Sequence, residues 1–112
     1  KYIRRFGERA ERAILPNCDD SPSKDVWVEN GWKERPVAGE QLYDMVFDPT
    51  ERQNLVGEPG HGEVYEKMRG RLRDWMERTD DPLLEGKVPA PTGARVNDPD
   101  GDSPGDSSYV VG

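Results

Sequence analysis

The sequence EQLYDMVF (residues 40–47) decides the fold of this chain. Successive side chains of a β-strand point to opposite faces, so Tyr43, Met45 and Phe47 would share one face. Aromatic and branched side chains are also enriched in strands. The stretch therefore predicts a strand over 40–47, the clearest strand in the chain.

The sequence DPTE (residues 48–51) follows at once. It combines an aspartate suited to the N-cap, a proline suited to the first helical turn and a glutamate at the third position. We predict a short helix here, in which the Asp48 carboxylate caps the N–H groups of Thr50 and Glu51. Gly57 and Pro59 would end it.

Further along, residues 61–78 have the spacing of one stripe of an α-helix. The apolar positions of this stripe are Val64, Met68, Leu72, Trp75 and Met76. We interpret the stripe as core, with a surface for a partner helix as the alternative. Gly70 costs this helix about 1 kcal/mol and is a candidate for close approach to a sheet.

Before the deciding stretch, KYIRRF (residues 1–6) alternates like a strand. Ser21 and Pro22 then form a helix start, and Asn30-Gly31 forms a matching stop. A short helix is predicted between them. A strand is the alternative, because Val26 and Val28 flank Trp27.

Together these elements predict an α+β fold: a small antiparallel sheet with a C-terminal amphipathic helix packed on it. We expect this subdomain to span residues 1–84. Residues 85–112 are rich in proline, glycine and aspartate, and we expect an extended acidic tail there.

The composition restricts the partners. The chain has 112 residues, of which 32% are hydrophobic and 35% charged, with a net charge of −7. So few apolar side chains predict that the chain is partly disordered or folds against a larger body. The acidic balance argues against nucleic acid, and no apolar run has the ~20 residues of a membrane span.

Two residue types with catalytic potential occur once each. Cys18 is the single cysteine, which excludes an internal disulfide, and we interpret it as an ordinary side chain. His61 has no second histidine or nucleophile at a matching spacing. We interpret it as an exposed residue at the start of a helix.

The acidic segment from Asp98 resembles the start of a calcium loop, with carboxylates at positions 1, 3 and 5. Position 6 is Ser103 instead of glycine, and position 12 is Tyr109 instead of glutamate. A solvated acidic segment is the preferred interpretation, and no metal ligands are predicted in this chain.

Arg35 and Glu40 are the candidate substrate-binding residues, since an arginine presents a rigid fork suited to sulfate or carboxylate. Ordinary surface charge is the alternative. Trp27, Trp32 and Tyr43 could stack on sugars, although aromatic residues in so polar a chain are more often core anchors.

Several short motifs occur in an order that resembles the C-terminal subdomain of the sulfatases, particularly the heparan N-sulfatase-like members. They are LYD (42–44), DPxExxNL (48–55), WM (75–76) and DP (81–82). The resemblance covers residues 36–84 well and residues 1–6 loosely.

The resemblance implies that this segment follows an alkaline-phosphatase-like catalytic domain and closes one side of its active site. It implies a formylglycine, a divalent metal (calcium by preference) and catalytic histidine and lysine residues, all upstream. The formylglycine motif is Cys-x-Pro/Ala-x-Arg. Cys18 does not match it, because Asp20 and Pro22 occupy the defining positions.

Two functions remain open. The first is the non-catalytic part of a sulfatase-type hydrolase that cleaves sulfate esters or N-sulfate groups on a sugar or another sulfated small molecule. Its partner would be the catalytic domain of the same gene product, with Trp27 or Trp32 at the junction, and the segment alone would be inactive. The second is a stand-alone acidic interaction domain without enzymatic activity.

Overall fold

The computed structural model describes residues 1–7, 18–98 and 100–112. These residues form two compact units. The first contains residues 1–7 and 38–88, and the second contains residues 18–37, 89–98 and 100–112. With two helices and two small antiparallel sheets, the described chain is mixed α+β, as predicted.

The sheet of the first unit pairs β1 (Tyr2–Arg4) with β2 (Glu40–Leu42) in antiparallel register, with Tyr2 opposite Leu42. The N–H of Tyr43 donates to the carbonyl of Lys1 at 2.8 Å and extends the pairing by one residue. The prediction of a strand near the start of the sequence is therefore confirmed.

The predicted strand over 40–47 is wrong beyond Leu42, where β2 ends. One carboxylate oxygen of Asp44 accepts the N–H groups of Val46 at 2.9 Å and Phe47 at 3.2 Å. The N–H of Asp48 donates to the carbonyl of Asp44 at 2.7 Å. An aspartate that binds its own following backbone closes a turn, and this local bonding wins over the alternating pattern.

The predicted helix after Asp48 is also wrong. Its carboxylate accepts the N–H groups of Arg52 at 3.0 Å and Gln53 at 2.8 Å, not those of Thr50 and Glu51. Glu51 has a positive φ of 57°, which a helix does not allow. The motif therefore forms a tight loop closed by one carboxylate.

The loop that follows pairs with β2 through a side chain. The Asn54 amide oxygen accepts the N–H of Leu42 at 2.9 Å, and the amide nitrogen donates to the carbonyl of Glu40 at 3.1 Å. The N–H of Leu55 donates to the carbonyl of Leu42 at 2.8 Å. Residues 54–55 thus occupy the edge of β2 opposite to β1.

The long helix α2 spans Gly62–Arg78, as predicted, and contacts β1. Met76 is 3% exposed, but Val64 and Trp75 of the predicted stripe are 51% and 48% exposed. A Cβ at Gly70 would meet no atom within 4 Å, so the expected close approach to a sheet at this residue is wrong.

A short 3₁₀ helix (Pro82–Leu84) completes the first unit. Asp80 takes a left-handed φ of 51°, and the N–H of Asp81 donates back to the carbonyl of Met76 at 2.9 Å. This six-residue reverse bond ends α2. Asp81 then caps the 3₁₀ helix by accepting the N–H of Leu83 at 2.9 Å.

The second unit contains α1 (Pro22–Glu29), so the helix is confirmed over the alternative strand. The Ser21 hydroxyl oxygen accepts the N–H of Lys24 at 3.2 Å, and Asn30 ends the helix, with its side chain donating to Val26 O at 2.7 Å. These are the start and stop signals that the sequence contains.

The second unit also contains a hairpin of β3 (Arg95–Asn97) and β4 (Ser108–Val110), in antiparallel register. The expectation of an extended tail over all of 85–112 is therefore wrong for these strands. In the loop between them, Asp106 accepts the N–H groups of Asp102 at 2.8 Å and Ser103 at 3.1 Å. Its carboxylate holds the loop closed, and this brings β4 back to β3.

Candidate functional site

Arg35 lies in the second unit, beside an aromatic ring. Its guanidinium carbon is 5.6 Å from the ring centroid of Trp27, within the range of a cation–π contact. Both side chains are exposed, and Trp27 keeps 53% of its surface accessible. Arg35 thus presents its cation on an aromatic face, and its predicted role in substrate binding stays a prediction.

Glu40 lies in the first unit, at the centre of a hydrogen-bond network. Its two carboxylate oxygens accept the hydroxyls of Tyr2 and Tyr65, the latter at 2.7 Å. The guanidinium Nε of Arg69 is 3.7 Å away. The network therefore connects β1, β2 and α2 through one side chain.

The network sets the charge of this carboxylate. The hydrogen bond from Tyr2 is the main cause that holds the pKa of the Glu40 carboxyl below its usual range, with Tyr65 and Arg69 adding to it. Burial, followed by the bond to Glu40, raises the pKa of the Tyr2 hydroxyl. Glu40 is thus an ionised acceptor that joins three elements, and its predicted role in substrate binding stays a prediction.

Beside this network lies a groove of about 340 Å³, which we call the arginine groove. Its charged lining consists of three guanidinium groups, from Arg4, Arg69 and Arg73. The apolar lining is contributed by Phe6, Leu72, Met76, Leu83 and Leu84. Such a groove suits a ligand that combines an anionic group with an apolar face.

The three arginines are held in different ways. Arg4 lies over the ring of Phe6, with its guanidinium carbon 4.9 Å from the centroid. Arg69 is 3.8 Å from the carboxylate of Glu66, and Arg73 donates to Glu77 at 2.7 Å. This bond raises the pKa of Arg73 further. The groove is cationic, but Arg69 and Arg73 are already paired with acidic side chains of their own helix.

Sequence reasoning missed the arginine groove. Arg69 and Arg73 are four residues apart on α2, which places them on one face of the helix. That spacing is a usable signal. The contribution of β1 was not foreseeable, because the pairing of distant strands decides where Arg4 lies.

A second hollow, of about 280 Å³, opens on the same unit, and we call it the apolar hollow. Its lining is mostly apolar and includes Leu42, Met45, Leu55, Val64 and Met68. His61 also lines it. The Nδ1 atom of His61 is buried and has no hydrogen-bond partner within the described part of the chain.

Two further candidate residues, Cys18 and Asp98, also lie among the described residues. Cys18 is a free, exposed thiol. Asp98 binds its own loop, accepting the N–H of Asp100 at 2.8 Å and the hydroxyl of Ser107 at 3.2 Å. Among residues 1–7, 18–98 and 100–112, no three potential ligands form a metal-binding group. None of the described helices has the length and apolar character of a membrane span.

One curated protein resembles this chain in part. It is the Delta 4,5-hexuronate-2-O-sulfatase of Bacteroides thetaiotaomicron, 38% identical over 61 residues. The match covers 54% of this chain but only 13% of that protein. No family model and no solved structure matches the chain. The comparison supports a relationship to sulfatases over about half of the sequence.

Proposed function

We propose that this chain is the C-terminal, non-catalytic subdomain of a sulfatase-type hydrolase and closes one side of its active site. The observation that carries the proposal is the 38% identity to a hexuronate-2-O-sulfatase over 61 residues. The match spans 13% of that protein's length, which supports a proposal that the activity lies outside this segment. The order of the LYD, DPxExxNL and WM motifs supports the same assignment.

The chemistry would be supplied from outside this segment. A formylglycine and a divalent metal, calcium by preference, are expected in the catalytic portion. Cys18 does not fit the formylglycine role, because Asp20 and Pro22 occupy the positions that need a small apolar residue and an arginine. The segment alone is therefore proposed to be inactive.

The related sulfatase and the arginine side chains of the first unit support a sulfated sugar as the proposed substrate class. A sulfated sugar combines anionic groups with an apolar ring face, and the arginine groove is lined by both arginine and apolar side chains. We propose sulfate-ester cleavage on a uronic acid as the first reaction and N-sulfate cleavage as the second. Arg35 and Glu40 remain candidate substrate contacts.

The direct test is to express the complete reading frame that contains this sequence. The purified product is incubated with a 2-O-sulfated unsaturated uronide and, separately, with N-sulfated glucosamine, and free sulfate is measured by ion chromatography. We expect sulfate from at least one substrate with the complete product and none with residues 1–112. A complete product that releases no sulfate from either would favour the acidic interaction domain.

The arginine groove has a matched test on one helix. Arg69→Gln and Arg73→Gln remove groove cations, whereas Arg71→Gln removes a cation of α2 that does not line the groove. A charge-assisted contact to substrate predicts a rise in KM of about tenfold for the groove variants. Equal KM values for all three variants would show that the groove does not contact the substrate.

A further inference from the structure

The turn over residues 45–47 presents apolar side chains to the surface. Met45 is 42% exposed, Val46 80% and Phe47 88%. Asp44 fixes this turn, because its carboxylate accepts the N–H groups of Val46 and Phe47. We call these three residues the apolar turn. Its side chains are thus displayed from a backbone that is already held in one conformation.

The apolar turn is continuous with the apolar hollow, because Met45 belongs to both. Val64 lines the hollow and is itself 51% exposed. His61 belongs to the same lining, and its buried Nδ1 atom has no partner among the described residues. A buried polar atom without a partner costs about 1–3 kcal/mol. The hollow lining therefore combines exposed apolar side chains with a residue whose buried polar atom has no partner among the described residues.

Three charged residues at or beside the apolar turn and the apolar hollow already have partners within this unit: Lys1, Asp44 and Asp48. Lys1 pairs with Glu51 at 2.8 Å. The carboxylates of Asp44 and Asp48 accept backbone N–H groups of their own loops. Covering this surface would therefore bury acidic groups that already have hydrogen-bond donors, which lowers the cost of removing water.

Resting on the function proposed above, we propose that the apolar turn and the apolar hollow form the surface by which this segment docks on the catalytic portion of its own polypeptide. The docking surface of that portion would be apolar, to match the exposed side chains of the turn and the hollow. The related sulfatase has 87% of its length outside the match, which is enough to provide such a body (100% minus the 13% matched).

The size of the surface favours a covalently linked partner over a second copy. Stable contacts between separate chains use about 20–30 residues on each side. The apolar turn and the hollow lining together involve far fewer residues. A partner in the same polypeptide needs less contact, because the linkage supplies a high effective concentration.

Hydroxyl-radical footprinting of the complete polypeptide tests the proposal. Oxidation rates of Phe47, Trp75 and Tyr109 are each divided by the rate of the same residue in the denatured polypeptide. Phe47 is the most exposed of the three in this structure, at 88% against 48% and 53%. We expect it to be the most protected in the complete polypeptide. If Phe47 remains the most rapidly oxidised, the proposal is overturned.

Footprinting at low protein concentration distinguishes docking within one polypeptide from association with a second copy. The footprint is repeated at concentrations at which light scattering shows a monomer. Protection that persists supports docking within one polypeptide, whereas protection that disappears assigns the surface to self-association and overturns the proposal. Sulfate release is measured on the same sample. An absence of hydrolase activity, which would contradict the proposed function, is thereby distinguished from an exposed Phe47, which would contradict the proposed docking.

Substitution gives a second measurement. Phe47→Asp in the complete polypeptide should increase the rate of cleavage by a protease within this segment by about tenfold, and Tyr109→Asp should not change it. Phe47→Ser serves if the aspartate variant does not fold. Equal cleavage of the serine variant and the unmodified polypeptide would contradict docking at the turn.

Discussion

Different interactions stabilise each of the two units of this chain. The first has the two buried hydrophobic side chains of the described residues, Leu42 and Met76, at 2% and 3% exposure. In the second, the buried side chain is Lys24, whose ammonium donates to Asp20 at 2.7 Å and to the carbonyl of Cys18 at 3.0 Å. A chain with few apolar residues can thus concentrate them in one unit and hold the other by turns and ion pairs.

This difference has a direct consequence for stability. Apolar burial contributes about 1.5–3 kcal/mol for each large side chain, whereas an exposed ion pair contributes about 0–1 kcal/mol. The first unit should therefore respond strongly to loss of a core residue. The second unit should be more sensitive to salt, because the ion pair between Lys33 and Asp102 is exposed on both sides and is therefore screened.

The largest effect is expected from the core of the first unit. Leu42→Ala should lower the free energy of unfolding by about 2–5 kcal/mol, because it removes buried methyl groups and leaves a cavity. Val110→Ala, at a side chain 63% exposed, should change it by about 0.5 kcal/mol or less. Denaturant unfolding measures both, and similar losses would contradict the contrast between the units.

The Asn54 side chain should have the next largest effect. Asn54→Ala leaves the N–H of Leu42 and the carbonyl of Glu40 without their partners, at a cost of about 1–3 kcal/mol. Gln53→Ala, at the neighbouring exposed position, is the control. Hydrogen exchange at Leu42 should become faster in the first variant alone, and unchanged exchange would show that the loop does not hold β2.

The Glu40 network predicts a pH dependence. The folded-state pKa of Glu40 is below its ordinary value of 4.5, so its contribution to stability is present above pH 4.5 and is lost as pH falls. Glu40→Gln should therefore reduce the loss of stability on acidification, although it is less stable at pH 7. Unfolding is measured from pH 7 to pH 3.

Measuring stability at high pH gives a complementary control for the Glu40 network. The folded-state pKa of Tyr2 is above its ordinary value of 10.0, so its contribution is present below pH 10 and is lost as pH rises. Tyr2→Phe should remove this loss of stability at high pH. At low pH it should change stability only through the lost hydrogen bond to Glu40. If Glu40→Gln leaves the acid dependence intact, the carboxylate is not the group responsible.

The smallest effect is a gain in stability. Gly70→Ala in α2 should add about 0.5–1 kcal/mol, because alanine favours the helix and its Cβ would meet no atom within 4 Å. Gly31→Ala should instead destabilise, because Gly31 has a φ of +79°. Thermal unfolding compares the two, and a loss with Gly70→Ala would indicate a contact at that residue.

The sequence predicted those elements whose signals are local. The helix Pro22–Glu29 has a serine cap, a proline start and an Asn-Gly stop, and each acts within one turn. The helix Gly62–Arg78 follows a periodic apolar pattern from Val64 to Met76. In both cases the backbone bonds are made within the element, so no distant partner decides the outcome.

The predictions failed where a side chain competes for backbone groups. Asp44 and Asp48 close loops with their carboxylates, and this ended β2 early and prevented the expected short helix. The hairpin within 95–110 was missed because its strands have three residues each and depend on a loop held by Asp106. The arginine groove likewise depends on long-range strand pairing.

The side-chain pairing of Asn54 has a consequence for solubility. A two-stranded sheet leaves two open edges, and an open edge can recruit a strand from another molecule. On β2, the backbone groups of Glu40 and Leu42 that point away from β1 are already bonded to Asn54 and Leu55. Residues 54–55 thus block the addition of a foreign strand, and loss of the Asn54 side chain would free two backbone groups of this edge for pairing with another molecule.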